Sequence, residues 1–125
     1  MKLKDLITII ATHVCIEEGI RDNWYYRKYA DGRLEAEQIW NVGQVTVGTQ
    51  VSSTWRRSAD INIADPPMMV SGTVIVELVG NTSNSPVVLE HYSNKTIAIA
   101  KASNASVTLQ NVTLALRTVD ARWKL

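Results

Sequence analysis

From residue 20 onward, turn signals interrupt runs rich in Val, Ile, Thr, Tyr and Trp every eight to twelve residues. That spacing is what an all-β sandwich or barrel requires, because short strands must fold back on one another to bury their apolar faces. The runs read as strands near 24–30, 33–41, 44–51, 57–63, 70–79, 86–91, 96–101 and 105–118. The punctuation falls at Asp31-Gly32, Asn41 to Gly43, Ser52 to Thr54, Asp65-Pro66-Pro67, Gly80 to Pro86, Ser93 to Lys95 and Ser103-Asn104. Strands of this number and length predict an all-β, two-sheet β-sandwich with jelly-roll-like connectivity.

The sharpest local signal is Asp31-Gly32 between two β-prone runs. This pair is preferred at the centre of a type I′ turn, where both central residues need positive φ. Such a turn sets Ala30 against Arg33, Lys28 against Glu35, Tyr26 against Glu37 and Trp24 against Ile39. Lys28 and Glu35 then form an opposite-charge cross-strand pair, worth about 0.2–1 kcal/mol. Alternation along the strand puts Trp24 and Tyr26 on one face and Tyr25 and Tyr29 on the other. With aromatics on both faces, one is expected to line the core and the other to meet a neighbouring subunit, a glycan being the minor alternative.

Two further strands carry predictions. Thr73 to Val79 is almost continuously apolar, which places it centrally with both faces covered and leaves Glu77 as the exception. In the last strand Val107 and Leu109 keep one parity, while Val112, Leu114 and Leu116 keep the other. A β-bulge near Gln110-Asn111 would return both sets to the core. The expected core therefore includes Trp24, Val74, Val76, Leu78, Ile97, Ile99, Leu114 and Leu116.

Residues 1–20 read differently from the domain at 21–125. Leu3, Leu6, Ile10 and His13 stand at the three-four-three spacing of a coiled-coil seam, whereas the run Ile7-Thr8-Ile9-Ile10 favours a strand. Helix or strand, the segment is too short to be stable alone and is expected to serve attachment or trimerisation. Lys2 and Lys4 before an apolar run resemble a signal peptide only superficially. Asp5 interrupts the basic region, the run is short and no small-x-small site follows, so an uncleaved end is expected. No run approaches the roughly 18 apolar residues of a membrane-spanning helix, and no membrane insertion is expected. A formal charge of +1 leaves no basic footprint for nucleic acid. The single Cys15 rules out an internal disulfide framework.

Catalytic motifs are missing from the sequence. His13 and His91 lie far apart, and neither a nucleophile elbow nor a phosphate-binding glycine loop occurs. His13-x-Cys15 falls short of the four ligands zinc normally takes, so no metal and no cofactor are expected. Glu35 and Glu37 share a strand face opposite Lys28 and Tyr26, which reads as a salt-bridged sheet surface and not as the acid and base of a glycosidase. The chain is not expected to be an enzyme.

Trp24, Tyr26, Arg27, Lys28, Asp31, Gly32 and Glu35, with Tyr29 where a Trp is usual, give a hairpin that resembles the opening of the globular tip domains of bacteriophage tail-fibre and minor structural proteins. The end Ala121-Arg122-Trp123-Lys124 is similar to the closing Gly-Arg-Trp-Lys of those domains, and the Pro66-Pro67 step before a long apolar strand also fits. The resemblance spans residues 17–125 in scattered patches. It implies a non-enzymatic virion protein, a trimeric knob like the receptor-binding tips that adsorb to a host cell. The alternative is a capsid decoration or head-fibre protein attached through its N-terminal segment. The expected partners are the chain itself as a homotrimer, other virion proteins of tail or capsid, and a host cell-surface glycan.

Loops far from the attached end are where recognition residues usually sit. The ligand candidates are accordingly Trp55 for stacking, Arg56 and Arg57 for anionic groups, and Tyr92 and Lys95 in the turn before the next strand. Leu3, Leu6, Ile10, His13, Tyr25 and Tyr29 are the candidates for oligomerisation.

Overall fold

The structure, a computed structural model, describes residues 2–4, 14–81, 87–93 and 95–125, without the side chains of 91–93. Nine strands are described: β1 (Cys15–Arg21), β2 (Trp24–Tyr29), β3 (Arg33–Gln50), β4 (Trp55–Ser58), β5 (Ile61–Asn62), β6 (Ser71–Gly80), β7 (Val87–Ser93), β8 (Thr96–Ala102) and β9 (Val107–Arg122). The fold is all-β and antiparallel, of the sandwich-like class that the turn spacing predicts. The chain forms two compact units, one of Met1–Gln38, Asp65–Ile75 and Arg117–Leu125, the other of Ile39–Ala64 and Val76–Leu116. Each of the long strands β3, β6 and β9 contributes residues to both.

In the first unit β1 pairs with β2 through a two-residue turn at Asp22 and Asn23, both with positive φ, at 50° and 68°. This is the type I′ geometry, and Asp and Asn tolerate it because their short polar side chains accept the left-handed region. The boundary expected at residue 20 thus falls inside a paired strand. Leu6, Ile10 and His13 lie outside the described residues, and Leu3 is exposed.

The β2–β3 hairpin corrects the register read from Asp31-Gly32. Tyr25 faces Glu37, Tyr26 faces Ala36, Arg27 faces Glu35 and Lys28 faces Leu34. The loop holds three residues: the Gly32 N–H donates to the Tyr29 carbonyl at 3.0 Å, and of Asp31 and Gly32 only the glycine takes positive φ. Asp31 instead accepts the Arg33 backbone N–H at 3.1 Å and the Arg33 Nε at 2.8 Å, a local ring that holds it out of the left-handed region. A turn followed by a left-handed glycine is the usual three-residue hairpin loop. The physical reason for the shift is burial. Opposed residues share a face, so the face of β2 that carries Trp24 and Tyr26 must match the face of β3 that carries buried Leu34 and Ala36, and the one-residue slip would have set Tyr26 against the exposed Glu37. Lys28 and Glu35 accordingly lie on opposite faces, and Lys28 pairs with Glu17 of β1 at 3.0 Å.

The chain end closes this unit over the hairpin. The Trp123 N–H donates to the Gly32 carbonyl at 3.0 Å and its indole Nε1 to the Tyr29 carbonyl at 2.9 Å. Arg122 Nη2 donates to the Asp31 carbonyl at 2.7 Å, and Lys28 Nζ stands 5.2 Å from the Trp123 ring centroid. Gly32 is obligatory here twice over. Its φ is +95°, and a Cβ at that position would strike the Arg122 guanidinium and lie 2.9 Å from the Lys124 carbonyl oxygen. Leu34, Met68 and Ala121 form the buried cluster beneath, with Tyr26, Met69 and Trp123 packed against it.

In the second unit β8 is central: β4 and β7 pair with it antiparallel, and the short β5 pairs with its first residues. Val45, Val47, Ile99, Leu109 and Val112 form the buried cluster, joined by half-buried residues that include Ile61, Leu78 and Leu89. The expected bulge is present. Asn111 has φ +52°, Gln110 and Asn111 are exposed, and Leu109, Val112, Leu114 and Leu116 are all buried. A comparable change of parity replaces the turn expected at Asn41 to Gly43, where β3 runs on without a break. Burial falls on Leu34 and Ala36 before it and on Val45 and Val47 after it, with Gly43 at φ +87° between them. β6 departs from the expectation of two covered faces. Val74 and Val76 are buried while Glu77 and Val79 are exposed, and β9 is its one partner among the described residues. Glu77 is therefore an ordinary solvent-facing residue.

Candidate functional site

The sequence candidates do not converge on one site. Trp55, Arg56 and Arg57 belong to β4 and not to a loop. Their backbones oppose Ala102, Lys101 and Ala100 of β8, and all three side chains are half-buried. Arg56 is a structural tie, since Nη1 donates to the Gly48 carbonyl at 2.8 Å and Nη2 to that of Asn104 at 3.4 Å. Lys95 lies in the turn before β8, exposed, with its carbonyl accepting the Ile63 N–H at 2.7 Å. Tyr92 lies in β7, its side chain outside the described residues. Residues 82–86 and 94, the expected loop tips, lie outside them as well.

Tyr25 and Tyr29 do share a face, and the corrected register shows what surrounds them. β2 sends Tyr25, Arg27 and Tyr29 outward, the first two opposite Glu37 and Glu35 of β3, with Ile20 and Glu18 of β1 beyond. Arg27 Nη2 donates to the Tyr25 hydroxyl at 3.1 Å, and its Nε lies 3.6 Å from Glu18 Oε1. Tyr29 Oη donates to Glu35 Oε2 at 2.9 Å, and the Arg33 guanidinium sits 4.6 Å from the Tyr29 centroid. The Glu18 carboxylate raises the pKa of Arg27 above its ordinary value. The hydrogen bond to Glu35 raises that of Tyr29, because ionising the phenol would set an anion against a carboxylate. These contacts hold the outward side chains in one arrangement.

Beside this ladder the surface dips into a depression of about 170 Å³. Ala36 and Thr118 line it together with Tyr25 and the four charged side chains Arg27, Glu35, Glu37 and Arg117. The Ala36 N–H is taken by the Thr118 hydroxyl at 3.0 Å, and that hydroxyl lies 3.4 Å from the Ala36 carbonyl, so a side chain substitutes for ladder bonds at this rung. Glu37 and Arg117 are exposed and make no side-chain hydrogen bond or ion pair among the described residues.

Sequence reasoning named Glu35 and Glu37 as a charged sheet surface and missed Arg117. The parity of β2 and β3, once matched through their inward residues, points to the Tyr25, Arg27, Glu35 and Glu37 face. Arg117 carries no such signal, since it reaches the face only through a pairing of strands whose contact residues, Ala36 and Thr118, stand 82 positions apart. Among the described residues no group of three or more His, Cys, Asp or Glu side chains could hold a metal ion, and no helix is long and apolar enough to cross a membrane.

No protein-family model, curated protein or solved structure matches this chain.

Proposed function

We propose that this chain is a non-enzymatic virion surface protein, a trimeric knob of the kind that tips bacteriophage tail fibres and adsorbs to the host cell. One observation carries the proposal. The two patches of sequence that resemble such tips, the Trp24–Glu35 hairpin and the closing run at Arg122 to Lys124, are locked together by the Trp123 and Arg122 hydrogen bonds to the hairpin turn. Residues far apart along the chain thus serve a single structural element. The outward face of the same hairpin supports a binding role, with two tyrosines held by Arg27 and Glu35 and with Ile20 exposed beside them. Three such faces on a trimer would add avidity to weak single contacts with a repetitive surface.

A second proposal, a capsid decoration or head-fibre protein, draws on a different observation. Trp55 and Arg56 are held in β4, so the loop site expected to contact a receptor is absent from that segment. Ile16 and Ile20 of β1, next to the N-terminal segment, are exposed and suited to docking on a particle. Saturable binding of the purified protein to host cells, with a trimer by light scattering, is the outcome expected of the tip. Tight binding to emptied capsids with no affinity for cells replaces it with the decoration protein. A monomer at micromolar concentration removes the avidity mechanism.

A further inference from the structure

We infer that the step from Asp31 to Gly32 is a site of covalent self-modification, the isomerisation of aspartate to isoaspartate, which the closed hairpin loop holds off and whose product keeps the chain end from closing again. It does not depend on what the chain binds. Asp31-Gly32 is the only Asp-Gly pair in the sequence, and no Asn-Gly pair occurs. At such a step the backbone nitrogen of the following residue attacks the aspartate Cγ, and glycine has no side chain to obstruct it. An N–Cγ bond forms, the amide proton and the carboxyl hydroxyl leave as water, and a five-membered succinimide results. Water then adds to one ring carbonyl. Breaking the bond to Cγ restores aspartate, whereas breaking the bond to the main-chain carbonyl carbon leaves the backbone running through Cγ, as isoaspartate. The water released in the first step is taken up in the second, and nothing is oxidised or reduced.

The closed loop opposes both reacting groups. The hydroxyl leaves from a neutral carboxyl, yet Asp31 Oδ1 accepts the Arg33 backbone N–H at 3.1 Å and Oδ2 the Arg33 Nε at 2.8 Å, bonds that favour the carboxylate. They hold the carboxyl below its ordinary pKa. The attacking nitrogen must shed its proton, yet the Gly32 N–H donates to the Tyr29 carbonyl at 3.0 Å and the residue is buried. The chain end pins the loop from the other side, with Arg122 Nη2 on the Asp31 carbonyl at 2.7 Å and the Trp123 N–H on that of Gly32 at 3.0 Å. Reaction therefore runs through the opened loop, at a rate set by how often the chain end lifts. The product cannot relock. Isoaspartate adds an atom to the backbone between Asp31 and Gly32, and the space is taken: even a Cβ on Gly32 would strike the Arg122 guanidinium and lie 2.9 Å from the Lys124 carbonyl oxygen. The carboxylate that held Arg33 is consumed in the new peptide bond.

The test is to hold the full chain in mildly acidic buffer over days, unfold each sample and measure how much of position 31 resists an aspartate-specific endoprotease, which does not cleave at isoaspartate. Fragmentation mass spectrometry confirms the position. The same chain in concentrated urea gives the unprotected rate, and the folded chain should react at least about tenfold more slowly. Trp123→Ala, which frees the chain end, should react about tenfold faster than the parent. Arg33→Gln should react about threefold faster, the size of a half-exposed ion pair. If circular dichroism shows Trp123→Ala to be unfolded, Trp123→Phe, which loses only the indole bond to Tyr29, is read in its place and should be about threefold faster. Amide exchange on the isomerised chain should show Gly32 and Trp123 unprotected while β8 keeps the parent's protection. Three results each overturn the inference: a folded rate equal to the unfolded one, the parent's rate in either variant, or an isomerised chain that protects Gly32 and Trp123 as the parent does.

Discussion

Replacing Trp123 with alanine should release the chain end from the hairpin at a cost of about 3 kcal/mol, with three contributions. The indole hydrogen bond to the Tyr29 carbonyl, 2.9 Å long and partly buried, is worth ~0.5–1.5 kcal/mol. Lys28 and Lys124 stand 5.2 and 5.6 Å from the ring centroid, each worth ~0.5–1 kcal/mol at an exposed site. The ring also packs against the Leu34, Met68 and Ala121 cluster while only half-buried, so roughly half of the ~3–5 kcal/mol of a core Trp→Ala change applies. These values overlap in what they count, so the cost is taken at the low end of their sum of about 3–6 kcal/mol.

Trp123→Phe separates the parts. It keeps most of the packing and loses the N–H, but the Tyr29 carbonyl still accepts the Gly32 N–H at 3.0 Å and is not orphaned. The phenylalanine variant should therefore cost about 1 kcal/mol or less. Urea unfolding measures both variants, and amide exchange at Gly32 and Arg33 shows whether the loss is local to the first unit. If Trp123→Ala costs under about 1 kcal/mol, the chain end does not close this unit. If the phenylalanine variant falls as far as the alanine one, packing is not the larger part.

Leu114→Ala should cost on the order of 2–5 kcal/mol in the same assay, because the side chain is fully buried; a change within noise would show that the strand parity after the bulge is wrong. At the bulge itself Asn111→Gly should be tolerated, whereas Asn111→Val, forced to φ near +52°, should lose about 1–2 kcal/mol. Equal stability of the two variants would mean that the strand relaxes out of the left-handed conformation. Acid should weaken the first unit. Lys28, with the Tyr26 hydroxyl, holds the Glu17 carboxyl below its ordinary pKa, and the Arg33 N–H, with its guanidinium, does the same for Asp31. Groups depressed on folding contribute fully above their unfolded pKa, and that contribution is lost as pH falls through the folded values. Unfolding midpoints should therefore decline below about pH 4, and a midpoint flat from there to pH 2 would contradict the assignment.

Local pattern was enough where a single strand carries its own constraint. The split parity of Val107 and Leu109 against Val112, Leu114 and Leu116 demanded a bulge, and Asn111 supplies it because asparagine accepts positive φ at little cost. The all-β class was legible for the same reason, since period-two burial and turn residues act over a few positions. Asp31-Gly32 was a turn signal that did not determine its own register. Type I′ and the three-residue loop both use that pair, and the choice fell to which faces of β2 and β3 could be buried together, with Arg122 and Trp123 filling the space beneath the turn. Apolar composition likewise could not tell whether both faces of β6 are covered, because coverage depends on neighbours, and Glu77 and Val79 are exposed. The candidate site was the least legible part. Glu35 and Glu37 were visible as a pair, but Arg117 joins them only through pairing across the length of the chain, and long-range pairing is settled by the cooperative burial of whole faces.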